Sequence, residues 1–236
     1  LTRWLEGLFI SAAPPHPADT KYLDKAAMQM PALALDAVLQ ELRHFATEAC
    51  HAARAAFQEG DSTRAAALQP LGQSINGYAA RLSQEQAAED VARALQNALR
   101  VNRYLGEVLR LCDAAVRIEN RRAVLPDGHE TKAMLGHYLA VCANLLAETM
   151  EEKPPRKSAM TRFNRHYNRM KEELLEDAVR HKMPLGDVSA LLDDLSQTRR
   201  LLEQAQKARR WLGVIRNRPL APKNRSDQAM EARPAA

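Results

Sequence analysis

The chain has 236 residues, of which 46% are apolar, 27% charged and 5% aromatic, with only 9 glycines; that length carries one large or two small domains with a real core, and an alanine-rich, glycine-poor composition excludes a sandwich, barrel or α/β fold. Three scattered cysteines, Cys50, Cys112 and Cys142, exclude a disulfide scaffold or zinc knuckle and fit small core residues in a reducing compartment. The formal charge is +5, and no run reaches the roughly 18–20 apolar residues that a membrane-spanning helix needs.

The sequence opens at Leu1 rather than Met, which reads as a piece of a longer polypeptide, and no signal-peptide pattern follows. Residues 1–10 carry Arg3, Trp4 and Phe9. Such a stub suits a membrane interface or a frayed end. Ala12-Ala13-Pro14-Pro15-His16-Pro17 is a stiff linker, and Tyr22-Leu23-Asp24 leads to the first helix.

Helix one starts near Pro31, a residue suited to a first turn. Leu35, Val38, Leu42, Phe45, Ala49, Ala52 and Ala56 form its apolar stripe. Gly60 stops it, and Asp61 caps helix two, whose stripe is Leu68, Leu71, Ile75, Tyr78 and Leu82. Ser83 and Gln86 read as a capping box for a long third helix, about Gln84 to Arg122. Its stripe is Val91, Leu95, Leu99, Asn102, Leu105, Leu109, Cys112 and Val116. Asn102 is polar on the core face and needs a partner.

Pro126-Asp127-Gly128 is a turn. Helix four, about Glu130 to Glu152, turns Met134, Tyr138, Val141, Leu145 and Thr149 inward, and Pro154-Pro155 end it. Helix five carries Met160, Phe163, Tyr167, Met170, Leu174 and Val179. Met183-Pro184-Leu185-Gly186-Asp187 breaks the chain. Helix six carries Val188, Leu191, Leu195, Thr198, Leu202, Ala205 and Leu212. The segment from Arg216 has three prolines and little to bury, which predicts disorder.

The two trios of helices look related. Arg103-Tyr104-Leu105-Gly106-Glu107 matches Arg199-Arg200-Leu201-Leu202-Glu203, and the same spacing of 96 pairs Leu95 with Leu191, Leu99 with Leu195 and Asn102 with Thr198. The expected layout is a stub and linker over 1–30, three-helix repeats over 31–125 and 126–215, and a basic tail over 216–236.

Two clusters carry potential chemistry. Glu41, His44, Glu48 and His51 share one face of helix one at i, i+3, i+7 and i+10. Carboxylates and imidazoles there could hold a transition metal, as a metal-dependent helical hydrolase would require. A bundle metal site takes inward ligands from several helices, whereas Leu42, Phe45 and Ala49 point inward here, so these four read as a solvated polar face. Glu172, Glu173, Glu176 and Asp177 read as a surface patch offset by Lys171, Arg180 and Lys182. No phosphate loop, nucleophile elbow or zinc-protease motif occurs.

The stronger signal is Lys153 to Lys171, which holds Lys153, Arg156, Lys157, Arg162, Arg165, Arg169 and Lys171 and no acid. Without those seven cations the formal charge falls from +5 to −2, so the basicity is local. Arg162, Arg165, His166 and Arg169 line one stripe of helix five. No aromatic stacking platform or DNA-binding motif accompanies them, so nucleic acid is not expected. A solvated face is the first reading, an anionic lipid surface contacted by Arg156, Lys157, Arg162, Arg165 and Arg169 the second, and an acidic partner a further one.

Lys21-Tyr22-Leu23-Asp24 followed by Pro31-Ala32-Leu33-Ala34-Leu35, then Leu99-Arg100-Val101-Asn102-Arg103-Tyr104-Leu105, then Ala190-Leu191-Leu192-Asp193-Asp194-Leu195 with Arg199-Arg200, resemble the C-terminal cytoplasmic PhoU-like domain of bacterial sodium/phosphate cotransporters. The resemblance covers roughly residues 20 to 213. It implies an all-α PhoU-like tandem of two three-helix bundles, linked to a membrane transporter domain of the same chain at the cytoplasmic face of the inner membrane. It also implies a noncatalytic domain that biases sodium-dependent phosphate transport. A free-standing PhoU-type regulator of phosphate uptake signalling is the alternative, and a homo-oligomer fits either.

Soluble PhoU proteins hold metal clusters on acidic motifs in the second and third helix of each repeat. This chain departs from that pattern, with Gln69-Pro70-Leu71-Gly72-Gln73-Ser74 in helix two and the basic Thr161-Arg162-Phe163-Asn164-Arg165-His166 in helix five. Only Glu107 and Glu203 remain near the third-helix positions. Cations repel a metal, so no metal ligand is carried over and no cofactor is expected.

Overall fold

A computed structural model describes residues 19–84, 89–150, 157–180 and 182–216. Among these, a short 3-10 turn at Ala26–Gln29 precedes six helices: α1 (Pro31–Gln58), α2 (Thr63–Gln84), α3 (Glu89–Val124), α4 (Glu130–Met150), α5 (Lys157–Val179) and α6 (Leu185–Arg216). No strand occurs among the described residues. The expectations for the stub and linker up to residue 18, Gln86, Glu152 to Arg156 and the tail beyond Arg216 lie outside the described residues.

Local chemistry sets most of the ends. Pro31 opens α1, where a missing N–H costs nothing. Gly60 turns the chain after it with φ +66°, a conformation that costs glycine little. Asp61 accepts the Thr63 N–H at 2.8 Å and the Thr63 hydroxyl at 2.8 Å, which starts α2. Glu89 and Asp90 lie in the first turn of α3, where negative charge faces the positive end of the helix dipole. Thr131 in the first turn of α4 is buried and donates to Asp177 of α5 at 2.8 Å, so one member of the expected acidic patch fastens two helices together. Glu176 pairs with Arg180 and Asp177 with Lys182, whereas Lys171 lies over the Tyr167 ring.

The helices pack as two trios. α1, α2 and α3 each touch the other two, and so do α4, α5 and α6. Between the trios α3 lies along α6 in the most extensive contact, α1 packs on α4, and α3–α4 and α1–α6 complete the seam. Exchanging the trios leaves this pattern of packed pairs unchanged, as a repeated unit produces.

α3 carries the burial of both trios. The expected stripe of Leu95, Leu105, Leu109 and Cys112 is buried, but so are Ala94, Ala98, Val101, Val108, Leu111, Ala115 and Ile118. A helix packed on one side buries one stripe, and α3 is packed on two. At the rim, Leu99, Val116, Met134, Val141, Met160 and Leu212 are only half-buried. Val179 corrects the sequence expectation outright. It is 79% exposed, because it is the last residue of α5 and Ala178, its neighbour in that turn, takes the side that packs on the core.

Asn102 finds its partners on α2. Its Nδ2 donates to the Gly72 carbonyl at 2.8 Å and to Asn76 Oδ1 at 2.7 Å. The approach is close: a Cβ on Gly72 would stand 3.3 Å from Phe45 Cζ and 3.5 Å from Asn102 Oδ1. Thr198, at the matching position of α6, bonds instead to the Tyr138 hydroxyl of α4 at 2.8 Å. Thr198 is thus paired through its hydroxyl, whereas Asn102 is paired through its amide nitrogen while its Oδ1 is buried without a hydrogen-bond partner.

Polar contacts fix the α3–α6 seam. Asp194 is buried and takes the guanidinium groups of Arg117 and Arg121. Glu107 pairs with Arg200 at 2.7 Å, and Arg100 stacks over Trp211 at 4.4 Å. Position numbers rise along α3 as they fall along α6, so the two helices run in opposite directions.

Two substitutions probe this core. Leu105→Ala should cost about 2–5 kcal/mol in denaturant unfolding, since the side chain is fully enclosed. Asp194→Asn, which keeps the shape but removes the charge, should cost about 1–3 kcal/mol, tempered by the partial exposure of both arginines.

Candidate functional site

The Glu41, His44, Glu48 and His51 face does not act as a unit. Glu41 corrects the expectation of a solvated face, because it is fully buried. It stands three residues after Val38 and four before Phe45, inside the apolar stripe. Its Oε2 accepts the backbone N–H groups of Lys21 at 2.8 Å and Tyr22 at 2.7 Å, while Oε1 is buried without a hydrogen-bond partner. Glu48 pairs with Arg64 of α2 at 2.5 Å. Burial pushes the Glu48 carboxyl up, but Arg64, His44 and His51 outweigh it and hold the group below its ordinary value. His51 is exposed, and the half-buried His44 leaves Nε2 enclosed and unpartnered. Among the described residues no three His, Cys, Asp or Glu side chains are grouped to hold a metal ion.

Glu41 is instead half of a clasp. Residues 19–24 form a strap against the first trio. Besides the two bonds to Glu41, the Asp24 carbonyl accepts the Tyr78 hydroxyl of α2 at 2.7 Å, and the Asp24 carboxylate accepts the Ala26 N–H at 2.9 Å. The bonds to Glu41 at one end and to Tyr78 at the other thus anchor this short irregular segment. Sequence reading missed the clasp, although a carboxylate within the apolar stripe was its visible signal.

The second candidate is the outer face of α4 and α5. Phe163, Tyr167, Met170 and Leu174 turn inward and are buried, which leaves Arg162, Arg165 and Arg169 exposed on the opposite side. Lys157 is the first residue of α5, and Arg156 lies outside the described residues. Arg169 pairs with Glu173 at 2.7 Å. Arg162 and Arg165 form no ion pair among the described residues. His166 on the same stripe meets His137 of α4 edge-on, with ring centroids 4.9 Å apart. Burial, then His137, then Arg169, Arg165 and Arg162, hold the His166 imidazole below its ordinary value of 6.5. Asn164, beside these cations in sequence, has Oδ1 enclosed and unpartnered. Sequence reading identified the arginines; it missed His137 as their partner, since that juxtaposition comes from α4 packing on α5.

Most of the remaining polar features are paired. A pocket of about 380 Å³ opens at the start of α4 beside Arg122, His129 and Lys132; Arg122 is paired with Glu119 and Lys132 with Asp127, while His129 Nδ1 is buried without a hydrogen-bond partner. Near the centre of α3, hydrogen bonding from Arg110 holds the Glu107 carboxyl below its ordinary value against burial, with Arg200 and Arg103 adding to it. Burial pushes the thiols of Cys50 and Cys112 up to about 12 each, and that of Cys142 upward as well. A thiol so placed is a packing group, not a nucleophile.

Removing Glu41 tests the clasp. Glu41→Ala leaves two strap amides without their acceptor and should cost about 1–3 kcal/mol. Hydrogen exchange should show Lys21 and Tyr22 losing protection while α3 keeps its own; unchanged amides would show that Glu41 does not hold the strap. No family model matches the chain, and no curated protein or solved structure matches it.

Proposed function

We propose that the chain is a noncatalytic regulatory and interaction domain of a sodium-dependent phosphate transporter, acting from the cytoplasmic side. The observation that carries this reading is the clasp. The segment entering the first trio is pinned by a buried carboxylate on α1 and a hydroxyl on α2. A chain held in this way transmits displacement of whatever precedes it, where a loose linker would absorb it. The short sequence motifs shared with PhoU-like cotransporter domains, and a bundle of two similarly packed trios, support the same reading. No helix among the described residues is long and apolar enough to cross a membrane, so the transporter part would be a separate portion of the same polypeptide.

The mechanism is differential contact. A domain that touches two transporter conformations equally shifts neither, and a preference of about 1.4 kcal/mol changes their ratio tenfold. The strap gives that preference a route into α1 and α2.

Sodium-driven phosphate uptake in cells carrying the full-length polypeptide tests the proposal. Glu41→Gln, which keeps the shape and weakens the clasp, should change the uptake rate severalfold at unchanged protein level. Uptake that depends on neither sodium nor Glu41 would overturn the reading.

A further inference from the structure

The outer face of α4 and α5 has a composition that a merely solvated surface does not need. Two arginines, Arg162 and Arg165, are exposed without an ion pair among the described residues. They flank an imidazole pair held across two helices at 4.9 Å. His137 is exposed and His166 half-buried, so solvent reaches the pair. The charged groups acting on His166 are His137 from α4 and Arg169, Arg165 and Arg162 from α5. Among the described residues Glu173 and Glu130 act on Arg169, and Glu172 and Glu176 are exposed further along α5. The charged groups that act on His166 itself all disfavour its proton.

We propose that this face docks on a membrane of anionic phosphodiester lipids and takes up a proton at His166 as it does so. Charge complementarity selects the occupant. Exposed arginines with no ion pair among the described residues match a plane of fixed negative charge, with about 1 kcal/mol for each cation near the surface. A metal ion is a poor occupant, because the two imidazoles are surrounded by three guanidinium groups that repel it. The proposal rests on the membrane-apposed reading given above and adds the surface and its proton dependence.

The sign follows from linkage. In the free chain the cations and partial burial disfavour protonated His166, so this group opposes folding as pH falls below its ordinary range near 6.5. A negative lipid surface supplies the opposite field and raises the proton affinity of the His166 imidazole. Whatever raises a histidine's pKa on docking must itself be strengthened by protons. Docking therefore tightens on acidification, by about tenfold for a rise of about one unit at His166.

Cosedimentation of the 236-residue chain with phosphatidylglycerol–phosphatidylcholine vesicles tests this at low salt, between about pH 7.5 and about pH 5.5, a range in which a phosphodiester headgroup keeps its charge and histidine does not. The wild-type chain should bind about tenfold more tightly at the lower pH. His166→Asn should keep the binding seen at the higher pH and lose its pH dependence. Arg162→Glu/Arg165→Glu should abolish binding at both, with helical content unchanged by circular dichroism. Equal wild-type binding at the two pH values would overturn the proton uptake, and absence of binding at both would overturn the docking surface. Competition by inorganic phosphate at matched ionic strength would make the occupant a small anion and overturn the lipid assignment. None of these failures touches the Glu41 uptake experiment, so the inference and the proposed function fall separately.

Discussion

α3 must be buried on two sides at once, and the rest of the bundle depends on that requirement. One face closes the first trio against α1 and α2. The other lies along α6. A helix so placed has little room for large side chains at every contact, and its buried set mixes Leu105, Leu109 and Leu111 with Ala94, Ala98, Ala114 and Ala115. Small residues let neighbouring helices approach, and large ones fill what remains. The polar fastenings sit at the rim of this seam: Asp194 between Arg117 and Arg121, Glu107 against Arg200, Arg100 over Trp211. They fix register between antiparallel helices whose apolar contacts alone would tolerate sliding.

Much of the architecture was legible in the sequence because helix periodicity is local. The six helices, the Gly60 stop, the Asp61 start and the need of Asn102 for a partner all follow from residues a few positions apart. The second buried face of α3 did not, because Ala and Val at positions such as 98 and 101 give a weak signal beside a leucine stripe. Glu41 was misjudged for the opposite reason: its charge suggested solvent, while its position in the stripe placed it under the strap. A carboxylate enclosed in this way is stable only when something donates to it, and its donors are backbone groups about twenty residues away, which no side-chain pattern reveals. His137 and His166 belong to the same class. Each is unremarkable on its own helix, and the pair exists only once α4 and α5 are packed.

The clasp and the basic face lie in different trios, one on α1 and α2, the other on α4 and α5. The seam through α3 and α6 connects them physically. Asp194 and the Glu107–Arg200 pair make that connection stiff, since a shift of α6 along α3 would strip charge partners as well as apolar contact. A bundle of this kind moves as a body or opens along the seam, and its two peripheral surfaces are held at a fixed separation in the packed state.

The three thiols give that choice a clock. Cys50 lies on α1, Cys112 on α3 and Cys142 on α4, all enclosed, and their thiolates are scarce until water reaches them. Alkylation of each therefore counts the openings of its own neighbourhood. If Cys142 reacts at its own pace while Cys50 and Cys112 lag together, the trios breathe independently; a shared rate means that the chain opens as one cooperative unit.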